Sequence, residues 1–271
     1  MEKSIPDFEQ DFYPEGFDFE LHARNQLLEK KFAHLPTLRK TGTTIVGLIY
    51  KDGIMLAADT RATSGTTVCD KKCIKINYIA PNIYCCGSGG LADCVNVCLL
   101  CSSQLELLRR QTNKQSRVVA AKTILTQRLF QYHGYLQAGL ILGGVDSMGT
   151  HLYNIWPDGC CDERNFLTSG SGCLAASSVL ETNYREGLNE DEAKELIADA
   201  ITAGIFNDLG SGGNVNIRVI RKDGTTDYYE SYRHENDISQ VYNQYQRPNV
   251  LNLPPGVTTV ISETITNLNE N

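Results

Sequence analysis

The chain has 271 residues, enough for one large domain or two small ones with an ample core. Its 25 Lys and Arg residues stand against 32 Asp and Glu residues, and the net charge of −7, with no basic run, argues against a nucleic-acid-binding surface. The ten Cys residues fall in adjacent pairs and inside apolar runs, so we expect free thiols rather than disulfides.

The first 42 residues differ in composition from the rest of the chain. Residues 1–20 are acidic and aromatic, unlike a signal or transit peptide, and residues 21–40 favour a short basic helix that ends before Pro36. No apolar stretch is expected to be long enough to cross a membrane, and we expect a cytoplasmic or nuclear protein. Residues 1–42 are interpreted as a removable or partner-bound leader, with a disordered tail as the alternative.

The bond between Gly42 and Thr43 stands just before an apolar, β-branched run in which a strand is predicted. If this bond is cut, Thr43 carries a hydroxyl that can attack a carbonyl and an α-amino group that can take the hydroxyl's proton. The reference pKa of that amine is about 7.7–8, close to working pH. While Gly42 remains attached the nitrogen is an amide, so the uncut chain should be inactive. Taken alone, Gly-Thr-Thr more often marks a plain turn before a strand.

From Thr43 onward, grouped strands are separated by pairs of helices. Strands are predicted at 43–50, 54–60, 72–79, 83–86, 137–143, 151–156, 165–168, 215–221 and 226–232. Helices are predicted at 93–110, 116–132, 174–184 and 191–207. Two Asp-Gly pairs indicate hairpin turns, Gly87-Ser88-Gly89-Gly90 is expected to break the sheet, and Asn189 is expected to cap the last helix. This order predicts an α+β fold with two stacked sheets between helical layers, not a parallel βαβ fold.

Residues 233–271 are polar and rich in turns, and their last part, 257–265, is again β-branched. A strand so far from the domain is interpreted as an arm that adds to the sheet edge of a neighbouring subunit. A flexible tail is the alternative. The predicted organisation is a leader (1–42), one domain (43–232) and a C-terminal arm (233–271).

Several motifs, in their order along the chain, resemble those of the catalytic β-type subunits of the proteasome core particle. They are Gly42-Thr43-Thr44, Ala58-Asp59-Thr60-Arg61-Ala62-Thr63, Lys75, Gly87-Ser88-Gly89, Gly143-Gly144-Val145-Asp146, Tyr153-Asn154-Ile155-Trp156-Pro157, Gly170-Ser171-Gly172 and the run from Gly204 to Gly212. Among the catalytic subunits the chain is most similar to the trypsin-like (beta-2 type) one, because of the runs 82–87 and 206–212.

The resemblance implies an N-terminal nucleophile (Ntn) hydrolase fold, a four-layer αββα sandwich, in which Thr43 becomes the nucleophile after self-cleavage at Gly42. It implies that Lys75 lies beside the Thr43 hydroxyl and favours its alkoxide-like state, and that Asp59 keeps Lys75 charged. The backbone N–H of Gly89 would donate to the developing oxyanion. Three further residues would surround and orient the α-amino group: Asp208, Ser171 and Ser211.

The resemblance also implies that a peptide substrate binds as an added strand beside Thr63 and residues 89–91. Its side chain would enter a pocket formed by Cys73, Gly87, Leu91 and Val95, in which Gly87 leaves room for a long side chain. Trypsin-like relatives usually carry an acidic residue where Val95 stands, to pair with a substrate Lys or Arg. A basic preference is expected, and a broader or more apolar preference is the alternative.

Two other motifs have competing interpretations. Cys94-x-x-x-Cys98-x-x-Cys101 matches the spacing of a radical iron–sulfur motif, but these positions share one helix face with apolar residues and favour a packing stripe. Gly87-Ser88-Gly89-Gly90 lacks the Lys-Ser/Thr ending of a phosphate-binding loop. No metal or cofactor is therefore expected.

The sequence thus predicts a threonine endopeptidase that cleaves unfolded, ubiquitin-tagged polypeptides inside a four-ring assembly with other α- and β-type proteasome subunits, with neither nucleic acid nor membrane as a partner. The alternative is a non-catalytic ring-assembly subunit that keeps its leader. Lys75, Asp59 and the intact junction of Gly42 with Thr43 argue against that alternative, because inactive ring subunits commonly lose one of them.

Overall fold

The computed structural model of the chain describes residues 20–31 and 41–234. In the leader, residues 20–31 form a helix that begins one residue before the range 21–40, in which a basic helix is predicted. The predictions for the rest of the leader before residue 41, and for the C-terminal arm beyond residue 234, lie outside the described residues.

The described residues form five helices and twelve strands. The helices are α1 (Glu20–Lys31), α2 (Leu91–Thr112), α3 (Val118–Gln131), α4 (Cys173–Asn183) and α5 (Glu190–Asn207). The strands are β1 (Thr44–Tyr50), β2 (Gly53–Asp59), β3 (Ala62–Ser64), β4 (Thr67–Asp70), β5 (Ile76–Ala80), β6 (Ile83–Gly89), β7 (Ala138–Asp146), β8 (Gly149–Ile155), β9 (Cys161–Glu163), β10 (Phe166–Gly170), β11 (Asn214–Arg221) and β12 (Thr226–His234).

Ten of these strands build two antiparallel sheets. One sheet has the order β10-β1-β2-β11-β12 and the other the order β5-β6-β7-β8-β9, while β3 and β4 pair as a separate ribbon. Helices α4 and α5 pack on the first sheet and α2 and α3 on the second. A third apolar cluster joins the two sheets face to face. The predicted αββα sandwich is therefore confirmed.

The strand pair β1–β2 shows why the sheet lies between two apolar layers. Successive side chains of a strand point to opposite faces. Ile45 and Leu56 join the cluster between the sheets, whereas Val46 and Met55 join the cluster under α4 and α5. A strand buried on both faces reads as a continuous apolar run. The pair is closed by the predicted hairpin, in which Tyr50 is paired with Gly53.

The glycine-rich stretch after residue 86 differs from its prediction. Residues 87–89 do not break the sheet but complete β6, where Gly87 pairs with Leu140 and Gly89 with Ala138. Helix α2 begins only at Leu91. Backbone pairing with β7 keeps these residues in β6, and sequence propensity alone does not register that pairing.

Lys75 also differs from its prediction, since it lies just before β5 instead of inside a strand. The strands β3, β4 and β9 were not predicted. Each has three or four residues, and β4 is exposed along its whole length, so none carries an apolar alternation.

Helix α2 carries the cysteine stripe on its buried face. Cys94, Cys98 and Cys101 pack in the cluster between α2, α3 and the second sheet, and burial raises the pKa of Cys94 and of Cys101 to about 12. Such thiols are unreactive, which agrees with the packing interpretation. All ten cysteines are free, as predicted.

The expectation that no stretch of the chain is long and apolar enough to cross a membrane was wrong for α2, whose 22 residues contain a long enough apolar stretch. One face of this helix packs against the second sheet. The same apolar content is typical of a helix that covers a protein core.

Helix α5 begins as predicted. Asn189 is its N-cap residue and forms a capping box with Glu192. Acidic residues fill the first turn, where the helix dipole favours them. This helix ends at Asn207, and Asp208 follows as its C-cap residue.

Candidate active site

The predicted site residues come from six places in the chain and meet around Thr43. Thr43 stands directly before β1 and is only 4% exposed. Asp59 ends β2 and Lys75 precedes β5. The other members of the group are Ser171 after β10, Asp208 after α5, and Ser211 in the loop before β11.

Lys75 lies between the Thr43 hydroxyl and the carboxylate of Asp59. Its Nζ is 3.0 Å from Thr43 Oγ1 and 2.7 Å from Asp59 Oδ1. An ammonium group at this distance stabilises negative charge that develops on the hydroxyl oxygen. The arrangement therefore suits Thr43 Oγ1 for attack on a carbonyl carbon.

Asp59 is fully buried and is held from several sides. Its Oδ1 also accepts the backbone N–H of Thr44 (3.0 Å) and its Oδ2 the N–H of Gly212 (3.1 Å). Burial raises the pKa of Asp59, while the ammonium of Lys75 and these two N–H donors oppose that rise. A carboxylate with three such donors has a fixed position, and it fixes Lys75 in turn.

A second network surrounds the backbone nitrogen of Thr43. That N–H donates to Ser171 Oγ at 3.0 Å. The hydroxyls of Ser171 and Ser211 both donate to Asp208 Oδ2, at 2.5 and 2.6 Å. Burial acts to raise the pKa of Asp208, but hydrogen bonds from both serines and from the N–H of Gly210 and Ser211 outweigh it, so this pKa lies below its ordinary value.

The end of the leader lies in the place where a substrate strand is expected. The N–H of Gly42 donates to Thr63 Oγ1 at 2.9 Å, and Thr41 Oγ1 donates to the carbonyl of Gly89 at 2.5 Å. The carbonyl oxygen of Gly42 accepts from Thr43 Oγ1 at 2.6 Å and from Lys75 Nζ at 3.4 Å. The hydroxyl of Thr43 is thus adjacent to the peptide bond that precedes it.

The loop after α5 packs closely on this junction. A Cβ atom at position 42 would lie 2.0 Å from the Cα of Gly210. Only glycine fits at position 42, because the neighbouring group is backbone and cannot turn aside. The close packing holds the peptide bond before Thr43 in place.

The predicted pocket residues lie on three elements near this junction. Cys73 is buried in the segment before β5, Gly87 belongs to β6, and Leu91 and Val95 lie one turn apart on α2. The space that a side chain at position 87 would need is occupied by Cys94, whose Cβ is 2.8 Å from the ideal Cβ position. Cys94 was not among the predicted pocket residues.

Known proteins share this pattern along most of the chain. The family model described as proteasome subunit matches residues 39–220. The chain belongs to the proteasome subunit family. It is 55% identical over 226 residues to the protein named Proteasome subunit beta type-7-B of Arabidopsis thaliana, a match that covers 83% of this chain and 82% of the relative.

Other similar proteins carry beta-type names as well. The chain is 40% identical over 253 residues to Proteasome subunit beta type-2 of Saccharomyces cerevisiae, covering 93% of this chain and 95% of the relative. It is 42% identical over 252 residues to Proteasome subunit beta type-10 of Bos taurus, covering 92% and 90%. The resemblance to proteasome β subunits is confirmed, and this β subunit of the core particle assembles with other proteasome subunits.

One residue of the site in this β subunit was missed from the sequence. Thr44 contributes its N–H to Asp59 and its hydroxyl to Ser211, at 3.0 and 2.7 Å. A threonine at the start of a strand looks like an ordinary β-forming residue, so the only available signal was its place next to Thr43. Within residues 20–31 and 41–234, no three His, Cys, Asp or Glu side chains are grouped so as to hold a metal ion.

Proposed function

We propose that this β subunit is a threonine endopeptidase of the proteasome core particle and that it cleaves unfolded, ubiquitin-tagged polypeptides. The observation that carries the proposal is the position of Thr43 Oγ1, 3.0 Å from Lys75 Nζ and 2.6 Å from the carbonyl oxygen of Gly42. A nucleophile, a fixed cation and a peptide carbonyl are thereby in contact in one buried place.

In the first step the subunit activates itself. Thr43 Oγ1 attacks the carbonyl carbon of Gly42, the C–N bond to Thr43 breaks, and the proton of Oγ1 passes to the Thr43 nitrogen, which leaves as an amine. Water then hydrolyses the resulting ester between Gly42 and Thr43 Oγ1, which releases residues 1–42 as a propeptide. The ammonium of Lys75 lies 3.4 Å from the carbonyl oxygen and favours the negative charge formed there.

The same hydroxyl then acts on substrates. The freed α-amino group accepts the proton of Oγ1, which attacks the substrate carbonyl carbon, and the leaving amine receives a proton. The N–H of Gly89 is proposed as the donor to the oxyanion. Water cleaves the acyl ester with the amine as base, and Thr43 is regenerated. No cofactor takes part.

The end of the leader supports the proposed mode of substrate binding. Its contacts with Thr63 and Gly89 are those that a substrate strand would take over once residues 1–42 have left. The pocket of Cys73, Gly87, Leu91 and Val95 is proposed to receive the side chain before the cut bond. A trypsin-like preference is proposed because relatives named beta type-2 are 40 to 46% identical to the chain.

The assembly proposed for this subunit is a four-ring hetero-oligomer of α- and β-type subunits, located in cytoplasm and nucleus. The C-terminal arm is proposed to contact a neighbouring subunit in it. Nucleic acid and membrane are not among the proposed partners.

The deciding experiment compares the intact protein with Thr43→Ala in assembled core particles whose other active subunits are inactivated. We expect the intact subunit to lose 42 residues and to begin at Thr43 by mass spectrometry. Thr43→Ala should assemble, stay uncut and hydrolyse no peptide. The matched control is Thr66→Ala, which alters an exposed threonine in the β3–β4 turn.

Two results would overturn the proposal. One is peptide cleavage by the Thr43→Ala particles at the rate of the intact ones. The other is an intact subunit that keeps its leader in mature particles, which favours the non-catalytic ring-assembly role.

A further inference from the structure

Thr44 joins the two hydrogen-bond networks that surround Thr43. Its backbone N–H donates to Asp59 at 3.0 Å in the network of Lys75. Its hydroxyl oxygen lies 2.7 Å from Ser211 Oγ in the network of Asp208. Resting on the function proposed above, we propose that Thr44 is a positioning residue that acts through Ser211 and Asp208 on the α-amino base of Thr43.

The direction of each hydrogen bond follows from counting protons. A hydroxyl has one hydrogen to donate and two lone pairs. Ser211 donates its hydrogen to Asp208 Oδ2 at 2.6 Å, so the hydrogen between Thr44 and Ser211 must come from Thr44. Ser171 likewise donates to Asp208, at 2.5 Å, and therefore accepts from the Thr43 nitrogen. Thr44 thus begins a chain of donors that ends on the carboxylate, opposite the amine.

The surroundings of Thr44 are built for this side chain. Thr44 is fully buried. Two glycines close in on it: a Cβ at position 172 would lie 2.1 Å from Thr44 Oγ1, and one at position 204 would lie 2.4 Å from Thr44 Cγ2. The backbone of the α4 N-terminus and of α5 therefore fixes both branches of the side chain. Because the Thr44 side chain is already confined to one rotamer, its hydroxyl can orient Ser211 at no further cost in side-chain entropy.

Removal of this hydroxyl has a predictable effect on the amine. Hydrogen bonds in a chain strengthen one another. Without its donor, Ser211 becomes a weaker donor to Asp208, and the carboxylate keeps more negative charge. That charge favours the protonated amine of Thr43, through Ser171. The charged groups of the two networks are Lys75, Asp59 and Asp208, and the guanidinium of Arg61 lies against Gly212, next to Ser211. Thr44→Val changes none of these groups.

The test uses Thr44→Val, which keeps the shape of the side chain, in particles whose other active subunits are inactivated. We expect kcat to fall by about tenfold, the size expected for one buried neutral hydrogen bond. We also expect the acidic limb of the rate profile to move up by about 0.3–0.5 pH unit, with little change in KM. Thr44→Ser retains the hydroxyl and should restore the position of that limb.

The matched control is Thr168→Val. Thr168 Oγ1 lies 2.7 Å from Ser177 Oγ, so the variant removes a threonine–serine pair of the same length. Thr168 Oγ1 also donates to the carbonyl of Cys173, so it has no connection to Ser211 or Asp208 through these hydrogen bonds. A loss of stability alone should leave the acidic limb of the rate profile in place in both valine variants, and only Thr44→Val should move it.

A double mutant shows whether Thr44 acts through Ser211. In a Ser211→Ala background, Thr44→Val should have no further effect on the pH profile. An unchanged limb in Thr44→Val, or full additivity of the two substitutions, overturns the inference. The free amine of Thr43 exists only after self-cleavage, and the role inferred for Thr44 concerns only that amine. A Thr44→Val subunit that assembles but stays uncut therefore also contradicts the inference. If that subunit does not enter particles, Thr44→Ala removes the same hydroxyl and replaces it in the test. The inference then requires the acidic limb of Thr44→Ala to lie at higher pH than that of Thr44→Ser.

The failure of this inference is distinct from failure of the proposed function. If Thr43→Ala particles are as active as intact ones, the proposed function is wrong. If the intact particles require Thr43 but Thr44→Val behaves like Thr168→Val, only the role of Thr44 is wrong.

Discussion

Lys75 and Asp59 form an ion pair that is almost completely withdrawn from water. Nζ lies 2.7 Å from Oδ1, and the two side chains are 4% and 0% exposed. Taking two charges out of water is costly, and their attraction offsets that cost only while both are present. The pair therefore contributes position more than stability, since it holds an ammonium 3.0 Å from Thr43 Oγ1.

A single and a double substitution separate these two contributions. Lys75→Met leaves the Asp59 carboxylate buried without its cation, so we expect a loss of about 3–5 kcal/mol in the free energy of unfolding. Peptide hydrolysis should fall by about a hundredfold to a thousandfold. Asp59→Asn with Lys75→Met should recover most of the stability and none of the activity. Urea unfolding and peptide hydrolysis measure the two effects, and a double variant as unstable as the single one would contradict this account.

The sequence predicted the layers of the fold and the members of the site for different reasons. The strand pattern was readable because β1 and β2 are apolar runs of only seven residues on either side of an Asp-Gly turn, a length and a turn signal that favour strands over a buried helix. The site was accessible mainly through the resemblance, since Lys75 or Ser171 taken alone has an ordinary structural interpretation. The structure adds the distances that bring these residues together.

What could not be predicted depends on contacts between distant parts of the chain. Residues 87–89 read as a break because glycine has low strand propensity, yet pairing with β7 keeps them in β6. The role of Thr44 could not be predicted from its place next to Thr43, because its partner Ser211 is 167 residues away. Cys94 was assigned to a packing stripe, and only the backbone geometry shows that it also stands against Gly87.

Val95 provides a test of side-chain preference. Its neighbours in the proposed pocket, Cys73 and Leu91, carry no charge, and Asp93 accepts the backbone N–H of Gln137 at 3.0 Å. We expect Val95→Glu to lower KM for peptides with Arg before the cut bond by about tenfold, because a partly buried ion pair favours that side chain. Val95→Gln has the same length without the charge and is the control. Equal KM values for Arg peptides in both variants would mean that position 95 does not face the substrate.

Gly89 tests the proposed oxyanion position. Its φ is +101°, and a Cβ there would lie 2.4 Å from the carbonyl oxygen of Gln137. Gly89→Ala must therefore shift the end of β6, and we expect kcat to fall by about a hundredfold with a smaller change in KM. Gly90→Ala is the control, since its φ is −72° and the nearest atom is 3.3 Å away. Similar kcat values for the two variants would argue against a role for Gly89 in catalysis.

Glu190 links the start of α5 to β11, and its protonation should be visible in stability. Hydrogen bonds from Arg221, and next from Lys194, lower the pKa of Glu190 from 4.5 to about 2 although burial opposes them. A carboxyl whose pKa is lower in the folded state stabilises the fold above pH 4.5, and this contribution is lost as the pH falls towards 2.

Glu190→Gln should therefore reduce the free energy of unfolding at pH 7 by about 1–3 kcal/mol, a range that allows for partial exposure of the pair. The difference from the intact chain should shrink steadily below pH 4.5. Asp191→Asn, one residue further along α5, is the control: its side chain is 98% exposed and lies 3.6 Å from Lys194, and its removal should leave the free energy of unfolding nearly unchanged. Urea unfolding of the full chain at several pH values measures both. A deficit that is constant from pH 7 to 3 would rule out the ion pair as its cause.

The rate of the mature subunit should fall on acidification. The fall should follow protonation of the Thr43 amine, whose reference pKa is about 7.7–8. Asp208 cannot cause it, because hydrogen bonds lower the pKa of that carboxyl below its ordinary value and it stays ionised. Burial raises the pKa of Asp59 against the opposing effect of the Lys75 ammonium, and protonation of Asp59 would remove the negative partner of Lys75. The test is to measure kcat from about pH 8.5 to 5 on particles in which the amino terminus of the subunit is verified as Thr43. A rate that stays flat over that range would exclude the amine as the base.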